Sequence, residues 1–528
     1  MNMNRFFVYF AISLGLAGCN TSTSYRGQWS DQYGSYTGAQ PSQMQYGTMD
    51  AANGPARNMA VLLPLTGDGA AAGRAVRTSV ESAILQNAPQ NLSVTFYDTG
   101  MDATTAINTA LASNPEVIVG PIFANDARTL RAMKPSSLPA ISFTSDATAI
   151  GDGVMTMALM PTNSIEAIVQ EMSRDQVSQF IILAPNTDAG QMMAGAARAA
   201  ATTYDIPVAG VFFYNERDTE SIKNTIARAS MNAPRTAANN RAREILSDIL
   251  TNEPLTPEEK ASLSDQLTRL TRDETLGPLP YNAVLFLGSA DDTRSLASFM
   301  RYYGVGARDA RFYGTALWDG TDITRDFTMS GAKFATLPDM SAEYAIVYEN
   351  MSGNMPTRLA TFGYDATNLA IGMMYSNQEP AAYLLNPGGY IGIDGAVRLR
   401  PMGNSERALR IVELGGNGEL RTVRNAPTDF ITPIYQLEPT RISPAREMEL
   451  QSAGINPLNY INIPTRLRGK YKAKTYGVTA APATTTAKPT VVGVIASDET
   501  TTVTDPDFTP VVRETVGRTY IDAVEINE

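Results

Sequence analysis

Short apolar runs alternate with amphipathic helical patterns along residues 58–150. Four runs are almost continuously apolar or β-prone, and they occupy residues 60–65, 93–97, 117–122 and 140–143. Such runs are typical of strands that are covered on both faces. Between the first two runs, apolar side chains recur at helical spacing, at Ala72, Val76, Val80, Ala83 and Ile84. The order strand, helix, strand predicts parallel pairing with right-handed crossovers.

The same alternation returns in the second part of the chain. Strands are predicted at the segments FIILAP, VAGVFFY and AVLFLG (residues 180–185, 208–214 and 283–288), with helices beginning near Ala189 and Ser221. After the third strand, a helical face is formed by Leu296, Phe299, Met300 and Tyr303. The pattern therefore predicts an α/β chain with two doubly wound, Rossmann-like lobes that are joined by hinge crossovers.

The pattern also sets domain boundaries. We expect a bilobed domain at 57–464, with lobe 1 at about 57–150 and 355–385 and lobe 2 at about 151–350. Charged helical segments with sparse apolar positions predict a surface helical hairpin inserted at 231–280. Residues 465–528, rich in Thr, Ala and Pro, predict a low-complexity, disordered tail.

The N-terminal segment has the layout of an export signal. Arg5 precedes an apolar run at 6–17 that is too short for a comfortable membrane span, and small residues then lead to Cys19. We expect a signal peptide at 1–18 and a disordered linker at 19–56, whose flexible coil would reach about 30–35 Å. The sequence LAGC at 16–19 resembles the lipobox of bacterial lipoproteins. That resemblance implies that Cys19 is acylated and that Asn20 favours the outer membrane.

Composition excludes several kinds of chemistry. The chain of 528 residues contains one cysteine and no histidine, so no intramolecular disulfide or Cys/His zinc site is available, nor is a Ser/His/Asp triad. A net charge of −11 and the lack of a dense Lys/Arg run argue against nucleic acid as a partner. We predict no cofactor, no metal and no enzymatic activity.

Two motifs suggest an enzyme, and each has a structural alternative. Gly67, Gly69 and Gly73 open a helix after the first strand, and Asp98 ends the next strand. This arrangement is close to a nicotinamide dinucleotide fingerprint, but the spacing departs from the standard one and a tight strand-to-helix turn also explains the glycines.

The second motif pairs Ser330 with Lys333 as S-x-x-K, and Ser352 with Asn354 as S-x-N, a pattern typical of penicillin-recognising serine enzymes. The K-T-G element is missing, because Tyr476 follows Lys474 and Thr475, so chance matching is the alternative. Asp291 and Asp292 lie at the carboxyl end of a strand, where they would either hold a cationic ligand group or begin a helix.

Several segments in the same order resemble the type 1 periplasmic binding fold of leucine-binding receptors. They are LLPLTG, VIVGPIFANDARTL, LPAISFTSD, RFYGTALWDG and GGYIGIDGAVRL, and the resemblance covers about 58–424. With the lipobox and the helical insertion, the chain most resembles the outer-membrane lipoproteins that activate penicillin-binding proteins. In that family a domain of this architecture binds a bifunctional peptidoglycan synthase.

The resemblance to receptors also implies a ligand cleft between the lobes. In receptors, hydroxyls and backbone amides hold the ligand carboxylate, and Thr144 and Ser145 occupy the matching stretch. Phe123 and Ala124 replace the usual serines of the other first-lobe loop, and Ala189 replaces an aromatic residue before Gly190. Asp292 falls near the acid that would pair with an ammonium group. The candidate cleft residues are Thr66, Gly120, Pro121, Thr144, Ser145, Asp188 and Asp292.

Together these features predict a non-catalytic lipoprotein, anchored on the periplasmic side of the outer membrane, that binds and activates a peptidoglycan synthase. The sequence leaves open whether the cleft also binds an amino-acid-like ligand. The alternative is a periplasmic receptor of an ABC transporter for an amino acid or a small amide.

Overall fold

A computed structural model describes most of the chain, beginning with a short strand, β1 (Ser42–Gln43). The described residues are 41–43, 54–430, 441–444, 450, 454–472 and 474–476, together with the backbone of 511–515 and 518–522. The signal peptide predicted at 1–18, Cys19 and most of the predicted linker lie outside these residues.

The first lobe is built on a parallel sheet of five strands. They are β2 (Arg57–Leu63), β3 (Leu92–Asp98), β4 (Val117–Val119), β5 (Ala140–Ser142) and β6 (Val154–Thr156). Its helices are α1 (Ala70–Asn87), α2 (Ala103–Ala112) and α3 (Ala124–Met133). The order is β3-β2-β4-β5-β6, so the four predicted strands are confirmed. β6 pairs with β5 and carries this lobe beyond the expected boundary at residue 150.

The second lobe repeats this strand order. Its parallel strands are β7 (Phe180–Pro185), β8 (Val208–Tyr214), β9 (Ala283–Phe286), β10 (Arg311–Gly314) and β11 (Lys333–Thr336). The helices are α4 (Pro161–Arg174), α5 (Asp188–Thr203), α6 (Thr219–Ala229), α7 (Asn232–Asn252), α8 (Pro257–Asp273) and α9 (Ala290–Tyr302). The order β8-β7-β9-β10-β11 confirms the prediction of two doubly wound lobes.

The chain then returns to the first lobe and back again. The returning elements are α10 (Ala342–Ser352), α11 (Arg358–Tyr375), α12 (Pro380–Leu384), β12 (Tyr390–Gly392), β13 (Gly395–Leu399), β14 (Ser405–Arg407), β15 (Arg410–Leu414), β16 (Leu420–Arg424) and α13 (Thr465–Arg468). β15 and β16 extend the second sheet antiparallel beside β11, while β1, β12, β13 and β14 form a small separate sheet. Farther along the chain, β17 (Val511–Thr515) and β18 (Arg518–Asp522) form an antiparallel pair.

The inserted hairpin α7–α8 has a hydrophobic core of its own, while most residues of α8 are exposed at the surface. Ile245 and Leu263 are buried against each other's helices, and Ile461 and Leu467 of the C-terminal segment complete the cluster. The packed chain therefore extends past the expected tail boundary at residue 464. Sparse apolar positions suffice here because a third, distant segment covers them.

Three segments connect the two lobes, at 157–160, 337–341 and 408–409, and one buried ion pair ties them together. The Arg407 guanidinium donates through Nη1 to Asp394 Oδ1 at 2.9 Å. Its Nε and Nη2 donate to the carbonyl oxygen of Met157 at 3.1 and 2.7 Å. Both charged side chains are fully buried. Arg407 therefore joins the first connection to the third.

Asp394 extends this network to the second connection. Its Oδ2 accepts a hydrogen bond from Thr361 Oγ1 at 2.6 Å and lies 3.9 Å from Arg358 Nη1. Arg358 in turn donates to the carbonyl oxygen of Leu337 at 3.4 Å. The charges that a low-dielectric interior would penalise are thus compensated by one another and by backbone oxygens.

A second buried carboxylate, Asp365 of α11, lies beside this pair. Its Oδ1 accepts from the amide of Ile393 at 3.0 Å, and Oδ2 has no hydrogen-bond partner among the described residues. Burial, together with the negative charge of Asp394, raises the pKa of the Asp365 carboxyl, although Arg407 opposes this shift.

We expect Arg407→Met to lower the free energy of unfolding by about 3–5 kcal/mol, because it leaves the Asp394 carboxylate buried without a counter-charge. Urea unfolding followed by circular dichroism measures the change. The double variant Arg407→Met/Asp394→Leu is the matched control, and it should recover much of the loss. A double variant as unstable as the sum of the single variants would contradict a coupled pair.

Asp365→Asn should stabilise the chain increasingly as pH rises. Above the ordinary aspartate pKa of about 3.9, the unfolded chain loses a proton that folded Asp365 keeps, so the parent's free energy of unfolding falls toward the raised folded pKa. Asparagine cannot titrate and removes this slope. Unfolding curves measured between about pH 4 and pH 8 check this, and equal pH dependence in the two proteins would contradict it.

Candidate functional site

The candidate cleft residues lie at the carboxyl ends of the parallel strands, where open α/β sheets place their ligands. Thr66 follows β2, and its Oγ1 donates to Asp98 Oδ2 at 2.7 Å. Asp98 Oδ1 also accepts from the amides of Leu65 at 2.7 Å and Gly100 at 2.8 Å. These hydrogen bonds join the loop after β2 to the loop after β3, and Asp98 is the acceptor that they share.

Gly120 and Pro121 follow β4 and serve close packing of the backbone. Gly120 has φ +103°, and a Cβ there would lie 2.1 Å from the carbonyl oxygen of Leu62. The carbonyl oxygen of Pro121 accepts hydrogen bonds from Ser142 Oγ at 2.8 Å and from the amide of Phe143 at 2.9 Å. Gly120 and Pro121 therefore hold the loop after β4 against the neighbouring strands.

Thr144 and Ser145 follow β5 and differ in exposure. Thr144 is buried, and its Oγ1 accepts from the amide of Asp146 at 3.1 Å. The Thr144 carbonyl oxygen accepts from Thr156 Oγ1 at 2.7 Å. Ser145 is exposed. Of the two hydroxyls that the receptor analogy assigns to a ligand carboxylate, that of Thr144 accepts a hydrogen bond within its own turn and that of Ser145 is exposed.

In the second lobe, Asp188 begins α5 and is engaged by the returning chain. Its carboxylate forms an ion pair with Arg441, whose Nε donates to Gln191 Oε1 at 2.7 Å. The amide of Ile442 donates to the carbonyl oxygen of Gln191 at 3.2 Å, and the Ile442 side chain is buried. A cation of the chain itself therefore occupies the position beside Asp188.

Asp292 is buried in the first turn of α9. Its Oδ2 accepts a hydrogen bond from Ser289 Oγ at 3.0 Å, and the backbone amide of Asp292 donates to Ser289 Oγ at 3.2 Å. The neighbouring Tyr214 hydroxyl is buried, and burial together with the Asp292 charge raises the pKa of that phenol. Exposed Asp291 forms an ion pair with Arg294. Both acids thus stabilise the helix start.

The glycines after β2 serve a tight strand-to-helix turn. A Cβ on Gly73 would lie 1.9 Å from the carbonyl oxygen of Pro64, so only glycine allows α1 to approach the strand. The ring of Phe123 covers Gly69, where a Cβ would lie 2.6 Å from the ring. Asp98, the acid that the fingerprint would assign to a ribose, is held by hydrogen bonds from its own loops.

Three residues of the penicillin-type motif, Lys333, Ser352 and Asn354, have structural partners. Lys333 Nζ lies 2.7 Å from Asp175 Oδ2 and 3.3 Å from Glu171 Oε1, in an ionic cluster of the second lobe. Ser352 Oγ donates to the carbonyl oxygen of Asn354 at 2.9 Å, beyond the end of α10. Lys333 is therefore engaged away from a serine nucleophile.

Sequence patterns missed two features of this region. Arg441 lies in a polar segment without periodicity, and only its position shows that it meets Asp188. A groove of about 590 Å³ beside α10 is lined by Asp319, Asp339, Met340, Glu349 and Met355, among others. Its lining comes from separate chain segments, so no local motif reports it.

Among the described residues there is no group of three or more acidic or cysteine side chains suited to a metal ion. None of the helices in this part of the chain combines the length and apolarity of a membrane span.

Known proteins match this chain in both sequence and fold. A family model described as "LppC putative lipoprotein" matches residues 27–242, less than half of the chain. The penicillin-binding protein activator LpoA of Mannheimia succiniciproducens is 28% identical over 165 residues. That match covers 30% of this chain and 28% of the relative's length.

Solved structures extend the comparison over more of the chain. A Rhodospirillum rubrum protein described as a "putative branched-chain amino acid ABC transporter" matches with a TM-score of 0.51 at 16% identity, over 70% of this chain and all of that one. The LpoA C-domain of Haemophilus influenzae matches with a TM-score of 0.46 at 17% identity, over 69% of this chain and 99% of that domain.

The predicted fold class is confirmed, because the structural neighbours are type 1 periplasmic binding proteins. At 16% identity the Rhodospirillum match shows the fold alone. The family model and the curated relative confirm the resemblance that the sequence suggested. The chain is thus similar to the LppC lipoproteins and to a penicillin-binding protein activator, and it has the type 1 periplasmic binding fold.

Proposed function

We propose that this protein is a non-catalytic lipoprotein that binds a bifunctional peptidoglycan synthase and raises its activity. The observation that carries the proposal is the state of the cleft edges. Thr66, Thr144, Asp188 and Asp292 each have a hydrogen-bond or ion-pair partner within the chain. A receptor fold whose ligand groups are used internally is suited to act as a docking body.

The Arg441–Asp188 contact is the clearest case. In a receptor, an acid at this edge would be available to a ligand ammonium group, and its desolvation would be compensated only on binding. Here Arg441 supplies that charge from within the chain in a solvent-exposed ion pair, and its guanidinium also donates to Gln191. The similarity to a penicillin-binding protein activator supplies the class of partner, a penicillin-binding protein.

We further propose that Cys19 carries the lipid anchor and that Asn20 favours the outer membrane. An acylated Cys19 would hold the domain permanently, because each buried CH₂ contributes about 0.8 kcal/mol. Tethering raises the effective concentration near a wall-embedded synthase. It would also hinder a receptor that must carry ligand to an inner-membrane transporter.

The chain from Asn20 to Glu528 should bind a bifunctional peptidoglycan synthase of the same cell saturably and increase glycan-strand formation or crosslinking. Titration with a labelled synthase measures binding, and product analysis measures synthesis. A periplasmic amino-acid receptor of the same fold is the matched control and should leave the synthase unchanged.

The binding fold itself favours one alternative, a receptor for an amino acid or a small amide. Absence of synthase binding, together with a melting temperature that rises with one amino acid, would replace the activator proposal by the receptor. In that case, Asp292→Asn and Thr144→Val should reduce the thermal shift.

Cys19→Ala should release the full chain from the outer-membrane fraction of cells, because the acylated residue is lost. Sucrose-gradient fractionation with immunodetection measures the distribution. Asn20→Asp is the companion variant, and it should move the chain toward the inner membrane. An unchanged membrane fraction for Cys19→Ala would contradict anchoring through this residue.

A further inference from the structure

The groove beside α10 lies where the two lobes meet. The second lobe contributes the loops after β10 and β11, which include Asp319 and Asp339. The opposite wall is α10 with the segment that leads into α11. α10 is fixed to the first lobe, because the Tyr344 and Ser79 hydroxyls are 2.8 Å apart across α10 and α1. None of the candidate cleft residues lines this groove.

The groove has an unusually exposed apolar surface. Ile346 and Met355 are 60% and 61% exposed, and the adjacent Met351 is 40% exposed. Met340 is half-buried and packs against the cluster of Tyr344 and Tyr348 beneath it. Clustered apolar side chains on a rigid support are typical of interaction surfaces, and methionine adapts readily to different partners.

Acidic side chains surround this apolar surface. Asp339 accepts from Arg410 at 2.6 and 2.7 Å, which holds the pKa of its carboxyl below the usual range, yet its side chain is 82% exposed. Asp319 lies 3.6 Å from Arg358. Glu349 is exposed on α10. Three carboxylates thus face two guanidinium groups, leaving excess negative charge at the rim.

Both guanidinium groups already have partners within the chain. Arg358 reaches Leu337 and approaches Asp394 in the network between the lobes, and Arg410 holds both oxygens of Asp339. The outer edges of the carboxylates therefore set the potential that a partner meets, and this potential attracts cationic side chains.

We propose that this groove docks a segment of a partner protein in which aliphatic side chains alternate with lysine or arginine. The aliphatic side chains would cover Ile346 and Met355, and the cations would meet Glu349 and Asp339. This inference rests on the proposed function in one respect: it takes the partner to be the peptidoglycan synthase. A segment bound here would contact both lobes, so docking would respond to their arrangement.

A peptide probe tests the groove without the synthase. A fluorescein-labelled peptide of about ten residues, alternating leucine and lysine, should bind the chain from Asn20 to Glu528 saturably in fluorescence anisotropy. Ile346→Asp and Glu349→Lys should each weaken binding by about tenfold or more, through lost apolar contact and reversed charge respectively. The same peptide with glutamate in place of lysine should bind the parent chain more weakly than the lysine peptide binds either variant.

Leu85→Asp is the matched control, because Leu85 is 77% exposed on α1, away from the groove lining. It should leave peptide binding unchanged. All the substituted side chains are exposed, and equal melting temperatures would confirm that every variant folds. Equal peptide affinity for the parent and Ile346→Asp would overturn the proposal. It would also be overturned if the chain self-associated in sedimentation and only Ile346→Asp were monomeric, since the groove would then bind a second copy.

The synthase assay separates this inference from the proposed function. If the parent stimulates the synthase and Ile346→Asp stimulates it equally, docking in the groove is wrong while the activator function stands. If the parent neither binds nor stimulates, the activator function fails, and the peptide titration alone decides whether the groove takes a cationic, aliphatic segment. Loss of stimulation in Ile346→Asp but not in Leu85→Asp supports both.

Discussion

The buried Arg407–Asp394 pair is the interaction on which the arrangement of the two lobes depends. Placing two charges in a protein interior costs several kcal/mol for each ion before compensation. Here the compensation comes from Met157 and Thr361, and Arg358 carries the network on to Leu337. All three connections between the lobes therefore share one set of charges, and movement of any one of them would uncover a charge.

The loops at the cleft edges and the groove beside α10 differ in which side chains stay exposed. At the cleft edges, the loops are closed by hydrogen bonds between neighbouring strand ends, as between Thr66 and Asp98. The groove beside α10 keeps exposed apolar side chains and carboxylates. Arg358 contributes to both the network and the groove wall. In this protein, which has the fold of a receptor, the proposed docking groove therefore lies at the lobe boundary, outside the candidate ligand cleft.

The helical insertion shows how distant segments change the meaning of a local pattern. From the sequence, α7 and α8 have too few apolar residues for a buried face. Ile461, Ile463 and Leu467 come from more than 180 residues farther along the chain and cover those few residues. The C-terminal segment thus completes the apolar cluster between α7 and α8 and continues the packed structure past residue 464.

The sequence by itself determined seven of the ten parallel strands, the doubly wound lobes and the family resemblance, because continuous apolar runs and helical periodicity are local properties. It also excluded histidine-dependent catalysis, since composition needs no structure. Only the tertiary structure decided which polar groups stay available. Asp188 meets Arg441 across 253 residues, and Arg407 meets the carbonyl oxygen of Met157 across 250 residues. Hydrogen-bond and charge partners are chosen by proximity in space, which no local spacing encodes.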